Sequence, residues 1–326
     1  MRVNSRVLFA VTLTATSWFY TFARTTSSRP LYNGKPTPIV SPLPAQSPTI
    51  AERARQGDAK AQYQLALTYI RRNSASADDK QAVEWLRKAA EQDFPEAEVA
   101  LGYFYEHGRG VRRDYRQARF NYEAAANHGV AIAENNVGGM YQRGEGVHKD
   151  LRKAAEWYQK AADHGEVTAQ CNLGSLYFRG QGVGRDYAQA AFWFRRAAEH
   201  GFSPAQQNLA WMYYTGTGVA LDFSEAARWI RSAAEQGDAR AQVDLGYLYE
   251  QGKGVSLDYV QAYTWYQAAL DRGEHRAAQQ IDKLSPRMTS KQIHEAKAAA
   301  DQLSRTVPPT SAFASSESLG IALLPK

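Results

Sequence analysis

Tyrosine stands at positions 69, 105, 141, 177, 213 and 249, always 36 residues apart. Alanine keeps the same step at 82, 118, 154, 190, 226 and 262, and aspartate at 78, 114, 150, 186, 222 and 258. A fixed period of this size marks a stacked-repeat architecture, in which each unit is one supersecondary element that cannot bury its apolar face alone. The 326-residue chain therefore reads as an array of units at 58–93, 94–129, 130–165, 166–201, 202–237 and 238–273, not as two globular domains.

Each unit predicts two helices, as the third shows. Ala133, Val137, Met140 and Tyr141 fall at i, i+4, i+7 and i+8 on one face of a first helix, and Ala154, Trp157, Tyr158, Ala161 and Ala162 form the apolar face of a second. Between them Gly144 supplies a left-handed C′ stop and Asp150 suits an N-cap. Gly108 and Gly110, Gly144 and Gly146, and Gly180 and Gly182 repeat this stop. Gly102, Gly138, Gly174 and Gly246 lie beside the first-helix face and predict close helix approach, with the repeated tyrosines (Tyr105, Tyr141, Tyr177, Tyr213, Tyr249) filling the remaining space. The expected fold is all-α, an α/α superhelix (solenoid) of about six 36-residue helix-turn-helix repeats with helical caps. Ala51 to Gln56 forms the front cap, and Ala277, Ile281, Leu284 and a helix from Ser290 to Leu303 form the rear one.

The pattern is spelled by Ala169, Leu173, Gly174, Tyr177, Gly180, Gly182, Val183, Asp186, Ala190, Trp193, Ala197, Ala198 and Gly201. It resembles the Sel-1-like repeat, a relative of the tetratricopeptide repeat, over about two thirds of the chain. The first unit departs from it, with Arg72 and Ser74 for the paired glycines and Asp93 for the closing one, and Asn121 replaces tryptophan in the second. The resemblance implies an adaptor in signalling or envelope assembly, with first helices lining a concave surface.

The formal charge of +6 is concentrated at the start. Residues 1–51 hold Arg2, Arg6, Arg24, Arg29 and Lys35 with no acid, which leaves +1 for all the rest. A nucleic-acid binder concentrates its cations on the folded part, so no nucleic-acid partner is expected. Arg2 and Arg6 precede an apolar run from Val7 to Ala23, which reads as a signal peptide or short membrane anchor over 1–23. Six prolines between 30 and 48 make 24–49 an extended linker, the solenoid occupies 50–305, and 306–326 reads as a disordered tail. The expected location is the periplasm or cell envelope, anchored or secreted.

No catalytic constellation is visible. His128, His164 and His200 repeat at the 36-residue step, so neighbouring positions lie about 8–10 Å apart, too far to share one metal with ligand bonds of about 2 Å. They suit helix C-termini instead. The paired glycines follow no strand and precede no Gly-Lys-Ser/Thr, so they are not phosphate loops. A cysteine-rich bacterial branch of the resembled family shows β-lactamase-like activity, but Cys171 is the only cysteine here and no Ser-x-x-Lys or Lys-Thr-Gly occurs. No catalytic residue, cofactor or metal is expected.

What remains is a stripe on the first helices, one residue before and two after the core Leu or Val. Tyr103, Asn136, Asn172, Asn208, Trp211, Asp244 and Tyr247 lie on it. It serves either as a groove for a protein or peptide partner, with asparagines gripping backbone and aromatics as anchors, or as an inter-helix packing ladder. The tryptophans at 85, 157, 193, 229 and 265 read as core. The leading function is a non-enzymatic protein–protein interaction scaffold of the envelope. The alternatives are an envelope hydrolase, β-lactamase-like or peptidoglycan-acting, and a secreted factor that binds a host protein.

Overall fold

Five of the six repeated aspartates cap a helix. Asp150 accepts from the backbone N–H groups of Arg152 and Lys153 at 3.0 and 3.1 Å, and Asp114, Asp186, Asp222 and Asp258 do the same for their own helices. Each such cap satisfies otherwise orphaned donors and contributes about 1 kcal/mol. In the computed structural model, which describes residues 48–72 and 76–306, these caps open the second helices α5 (Tyr115–Asn127), α7 (Leu151–Asp163), α9 (Tyr187–Glu199), α11 (Phe223–Glu235) and α13 (Tyr259–Asp271), while in the second helix of the first unit, α3 (Ser76–Ala90), Asp78 lies in the first turn. The first helices are α2 (Ala59–Arg72), α4 (Pro95–His107), α6 (Ala131–Arg143), α8 (Val167–Arg179), α10 (Ser203–Thr215) and α12 (Ala239–Gln251). A front helix α1 (Ile50–Arg55) and the rear helices α14 (Arg276–Leu284) and α15 (Ser290–Thr306) complete the array. No strand occurs among the described residues. The expected leader, linker and tail fall on 1–47 and 307–326, outside the described residues, and Ser74 falls in the undescribed stretch 73–75.

From α1 to α14 each helix packs on the next, and α15 folds back on α13. From the second unit on, two glycines per loop make the turn between the helices of a unit. Gly144, at φ +75°, ends α6, and its N–H and that of Glu145 both reach the Met140 carbonyl. The loop closes where the Asp150 N–H meets the Tyr141 carbonyl at 2.9 Å, a bond repeated from Asp114 to Tyr105, Asp186 to Tyr177, Asp222 to Tyr213 and Asp258 to Tyr249. The second glycine does something else. A Cβ on Gly146, Gly182, Gly218 or Gly254 would land on the backbone carbonyl of Tyr115, Leu151, Tyr187 or Phe223, the first residue of the second helix one unit earlier. That glycine is where adjacent units touch.

Within a unit, glycine on the first helix faces a ring on the second. A Cβ on Gly102, Gly138, Gly174 or Gly246 would stand 2.7–2.9 Å from ring carbons of Tyr122, Tyr158, Phe194 or Tyr266, all fully or almost fully buried. Where the first helix carries alanine instead, at Ala66 and Ala210, the second carries aliphatic Leu86 and Ile230. The sizes trade off so that the helix pair closes at constant volume.

These rings correct one expectation. The space filler is this second-helix position and not the repeated tyrosine: Tyr105, Tyr141, Tyr177, Tyr213 and Tyr249 are only half-buried. Their hydroxyls sit at the seam between units, where Tyr105, Tyr213 and Tyr249 accept from Arg87, Arg195 and Arg231 at 2.9, 2.6 and 2.8 Å. The tryptophan ladder also divides. Trp193, Trp229 and Trp265 are buried, whereas Trp85 and Trp157 are half-buried, each with a lysine ammonium 4.3 Å over its ring. His128, His164 and His200 occupy helix C-cap positions, as expected.

Candidate partner-binding surface

Aromatic side chains gather along the first helices of the fourth to sixth units. Phe178 on α8 meets Trp211 on α10 edge to face, with centroids 5.5 Å apart. Tyr214, one turn from Trp211 on α10, accepts a hydrogen bond at 2.6 Å from the Lys253 ammonium, which also lies 6.0 Å over the Tyr247 ring on α12. Phe178, Trp211, Tyr214 and Tyr247 are all half-buried, so each anchors in the array and leaves part of its surface to solvent. Burial, then a hydrogen bond with Tyr214, pushes the Tyr247 hydroxyl up to about 12. It keeps its proton through the physiological range.

Local chemistry explains why the strip begins at the fourth unit. In the second, third and sixth units the buried ring is a tyrosine whose hydroxyl donates to Glu106, Gln142 or Glu250 at 2.7, 2.6 or 2.8 Å. In the fourth and fifth units the buried residue is Phe194 or Ile230, with no hydroxyl to satisfy. The position that elsewhere holds an acceptor is then free to be Phe178 or Tyr214. Neither was among the expected site residues. The signal that finds them is the i, i+3 step from Ser175 and Trp211, which extends the stripe by one helical turn.

The expected stripe splits under the structure. Trp211 and Tyr247 stand on the aromatic strip, and Tyr103 stacks on His107 at 4.0 Å in the second unit. Asn136 and Asn172 are half-buried, and the Asn172 amide donates to Asn135 across the unit seam at 3.1 Å. Asn208 and Asp244 are a correction: at 4% and 3% exposure they are inter-helix packing positions that no surface partner reaches. Asn208 points its amide at the Cys171 sulfur, 3.9 Å away. Burial pushes that thiol up to about 12, which leaves it inert.

A second periodic feature went unnoticed in the sequence. Gln62, Glu98, Glu134, Gln170, Gln206 and Gln242 recur at the 36-residue step and are all buried. The four glutamines each donate to a backbone carbonyl eight residues earlier, at 3.1–3.4 Å, and so join their first helix to the helix before it, the front helix α1 for Gln62 and a second helix for Gln170, Gln206 and Gln242. Hydropathy alone marked these positions as polar, which hid them. Their regular spacing was the signal available.

Elsewhere, an open cleft of about 740 Å³ is lined by Arg87, Arg112, Arg113, Asp114 and Arg116. Arg87 is engaged with Tyr105, and Arg113 lies over the Tyr115 ring at 5.4 Å. No helix among the described residues is long and apolar enough to cross a membrane.

The family model described as the Sel1 repeat matches six times, at residues 59–94, 95–130, 131–166, 167–202, 203–238 and 239–274. Among solved structures the chain is similar to a protective antigen present in uropathogenic Escherichia coli strains, described as displaying an SLR fold. Identity is 34%, with 79% of this chain and 56% of that one covered and a TM-score of 0.71. It is also similar to a Sel1 repeat protein from Oxalobacter formigenes, at 31% identity over 73% of this chain and 96% of the other, with a TM-score of 0.61. A curated relative, the chitin synthase regulator SKT5 of Saccharomyces cerevisiae, is 36% identical over 64 residues, 19% of this chain and 9% of that protein. The chain thus spans about half of the length of the E. coli antigen and under a tenth of that of the yeast regulator.

Proposed function

The chain belongs to the Sel1 repeat family, and on that footing we propose that it is a non-enzymatic adaptor of the cell envelope that holds a partner protein along the first helices of its repeats. Sel1 repeat proteins generally mediate protein–protein interaction, and a solenoid offers the extended surface such binding uses. The observation that carries the reading here is the strip of Phe178, Trp211, Tyr214 and Tyr247, four half-buried aromatic side chains across three adjacent units. Rigid aromatic anchors of this kind dominate binding energy at interfaces, and they cost little entropy to order. Lys253 adds a cation at the edge of the strip, which suits a peptide with apolar side chains and a carboxylate near them. Placement in the envelope rests on the basic, then apolar, N-terminal segment of the sequence.

The experiment is affinity capture from envelope lysate with the parent chain beside the Trp211→Ala, Tyr247→Ala double variant, with both melted by circular dichroism. A protein retained by the parent and lost by a variant that still melts cooperatively supports the adaptor. Equal retention by both removes the strip from the reading. A second reading, a secreted factor that binds a host protein, is favoured by the likeness to the uropathogenic E. coli antigen. Recovery of the chain from culture medium, not from the envelope fraction, would favour it.

A further inference from the structure

The buried ladder of Gln62, Glu98, Glu134, Gln170, Gln206 and Gln242 is satisfied in a different way where the residue is glutamate. An ionised carboxylate cannot donate to the carbonyl that the glutamines reach, so it needs a cation or a donor of its own. Glu134 has one: its Oε2 meets the His164 ring Nδ1 at 2.8 Å. Glu98 does not. At 3% exposure its Oε2 is buried without a hydrogen-bond partner. Burial pushes its carboxyl above the usual range, His128 pulls it down, and Asp93 pushes it up again. The first turn of α4, where Glu98 sits, favours the ionised form through the helix dipole.

The surroundings of Glu98 are unlike those of its counterparts. The residue closing each second helix is Gly129, Gly165, Gly201, Gly237 or Gly273 in the later units, at φ +75° to +87°. In the first unit it is Asp93, at φ +53°, the only non-glycine among the described residues with positive φ. A side chain there costs about 1–2 kcal/mol of left-handed strain, which glycine would avoid. The carboxylate carried at that cost faces Glu98 and His128: one ligand atom from each of the three lies within 4.8 Å of the others.

We propose that Asp93, Glu98 and His128 form a binding site for a divalent first-row transition-metal ion of the zinc class. Two carboxylate oxygens and one imidazole nitrogen, with no thiolate, are a donor set that zinc accepts, and three protein ligands leave a fourth position open. Bonds of about 2.0–2.2 Å require ligand atoms about 3.3–3.6 Å apart in tetrahedral geometry. Asp93 and His128 are exposed and free to close that gap, while Glu98 is held in the helix packing. The ion would supply the partner that the Glu98 oxygen lacks, and it would tie the first unit to the second.

The test is titration of the full chain, first stripped with chelator, with Zn²⁺ followed by calorimetry, and with Co²⁺ followed by visible absorption. The variants come from the chain itself: Asp93→Gly installs the residue of the later units, Glu98→Gln that of units four to six, and His128→Gln that of Gln92 and Gln236. Each should fold, and circular dichroism checks it. The expected result is one ion per parent chain, ligand-field bands with cobalt, and affinity at least tenfold weaker in every variant. Failure of the parent to bind one ion saturably, or unchanged affinity in folded Asp93→Gly, would overturn the proposal.

Discussion

The pairing of glycine on the first helix with a ring on the second makes a prediction whose sign is unusual: two destabilising substitutions should repair each other. In Gly138→Ala the new Cβ would stand 2.7, 2.8 and 3.2 Å from Cδ1, Cε1 and Cγ of Tyr158. Tyr158 cannot step aside, because it is 2% exposed and its hydroxyl is held by Gln142 at 2.6 Å. Overpacking of this kind costs about 1–3 kcal/mol. Alanine recovers about 1 kcal/mol of helix propensity over glycine, so the net loss is about 0–2 kcal/mol. Tyr158→Leu alone leaves a gap against Gly138 and removes the hydroxyl's bond, a loss of about 2–4 kcal/mol. Together they recreate the alanine and aliphatic combination that Ala66 with Leu86 and Ala210 with Ile230 already use. The double variant should therefore lose about 1–3 kcal/mol less than the sum of the two singles. Equilibrium urea unfolding followed by far-UV circular dichroism gives the four stabilities. Additivity within about 0.5 kcal/mol would refute the complementarity, since it would mean that the ring and the absent Cβ do not compete for the same space.

Gly165→Ala meets nothing within 4 Å and should cost only the left-handed strain, about 1–2 kcal/mol, whereas Gly182→Ala, whose Cβ lands on the Leu151 carbonyl, should cost at least about 1 kcal/mol more and broaden the urea transition by uncoupling the third and fourth units. Equal losses would mean that the second loop glycine is not the seam between units. Cys171, buried and with its thiol pushed up to about 12, should react with iodoacetamide at pH 8 roughly a thousandfold more slowly in the native chain than in denaturant. Native labelling at a comparable rate would show that this part of the array opens readily.

Much of the fold was legible because its causes are local. A helix starts where Asp150 can cap it and stops where Gly144 takes φ +75°, and both residues act through their own backbone neighbours. The candidate surface was legible only in part, since helical spacing places a residue on a face without saying what covers that face. Trp211 and Tyr247 share their stripe with Asn208 and Asp244, yet the first pair is only half-buried and the second is almost fully buried, with the Asn208 amide turned to Cys171 on the preceding first helix.

The number of units, their length, their caps and the glycine positions where helices must approach can be read from the chain alone, because a 36-residue period and left-handed turns leave few alternatives. Tertiary structure decided which ring fills each gap, which stripe residues meet solvent, and that Asp93 and Glu98 come within reach of His128, some thirty residues further along the chain. Those outcomes depend on how one helix pair stacks on the next, and stacking is set by side-chain volume at contacts far apart in sequence, which no single unit's pattern contains.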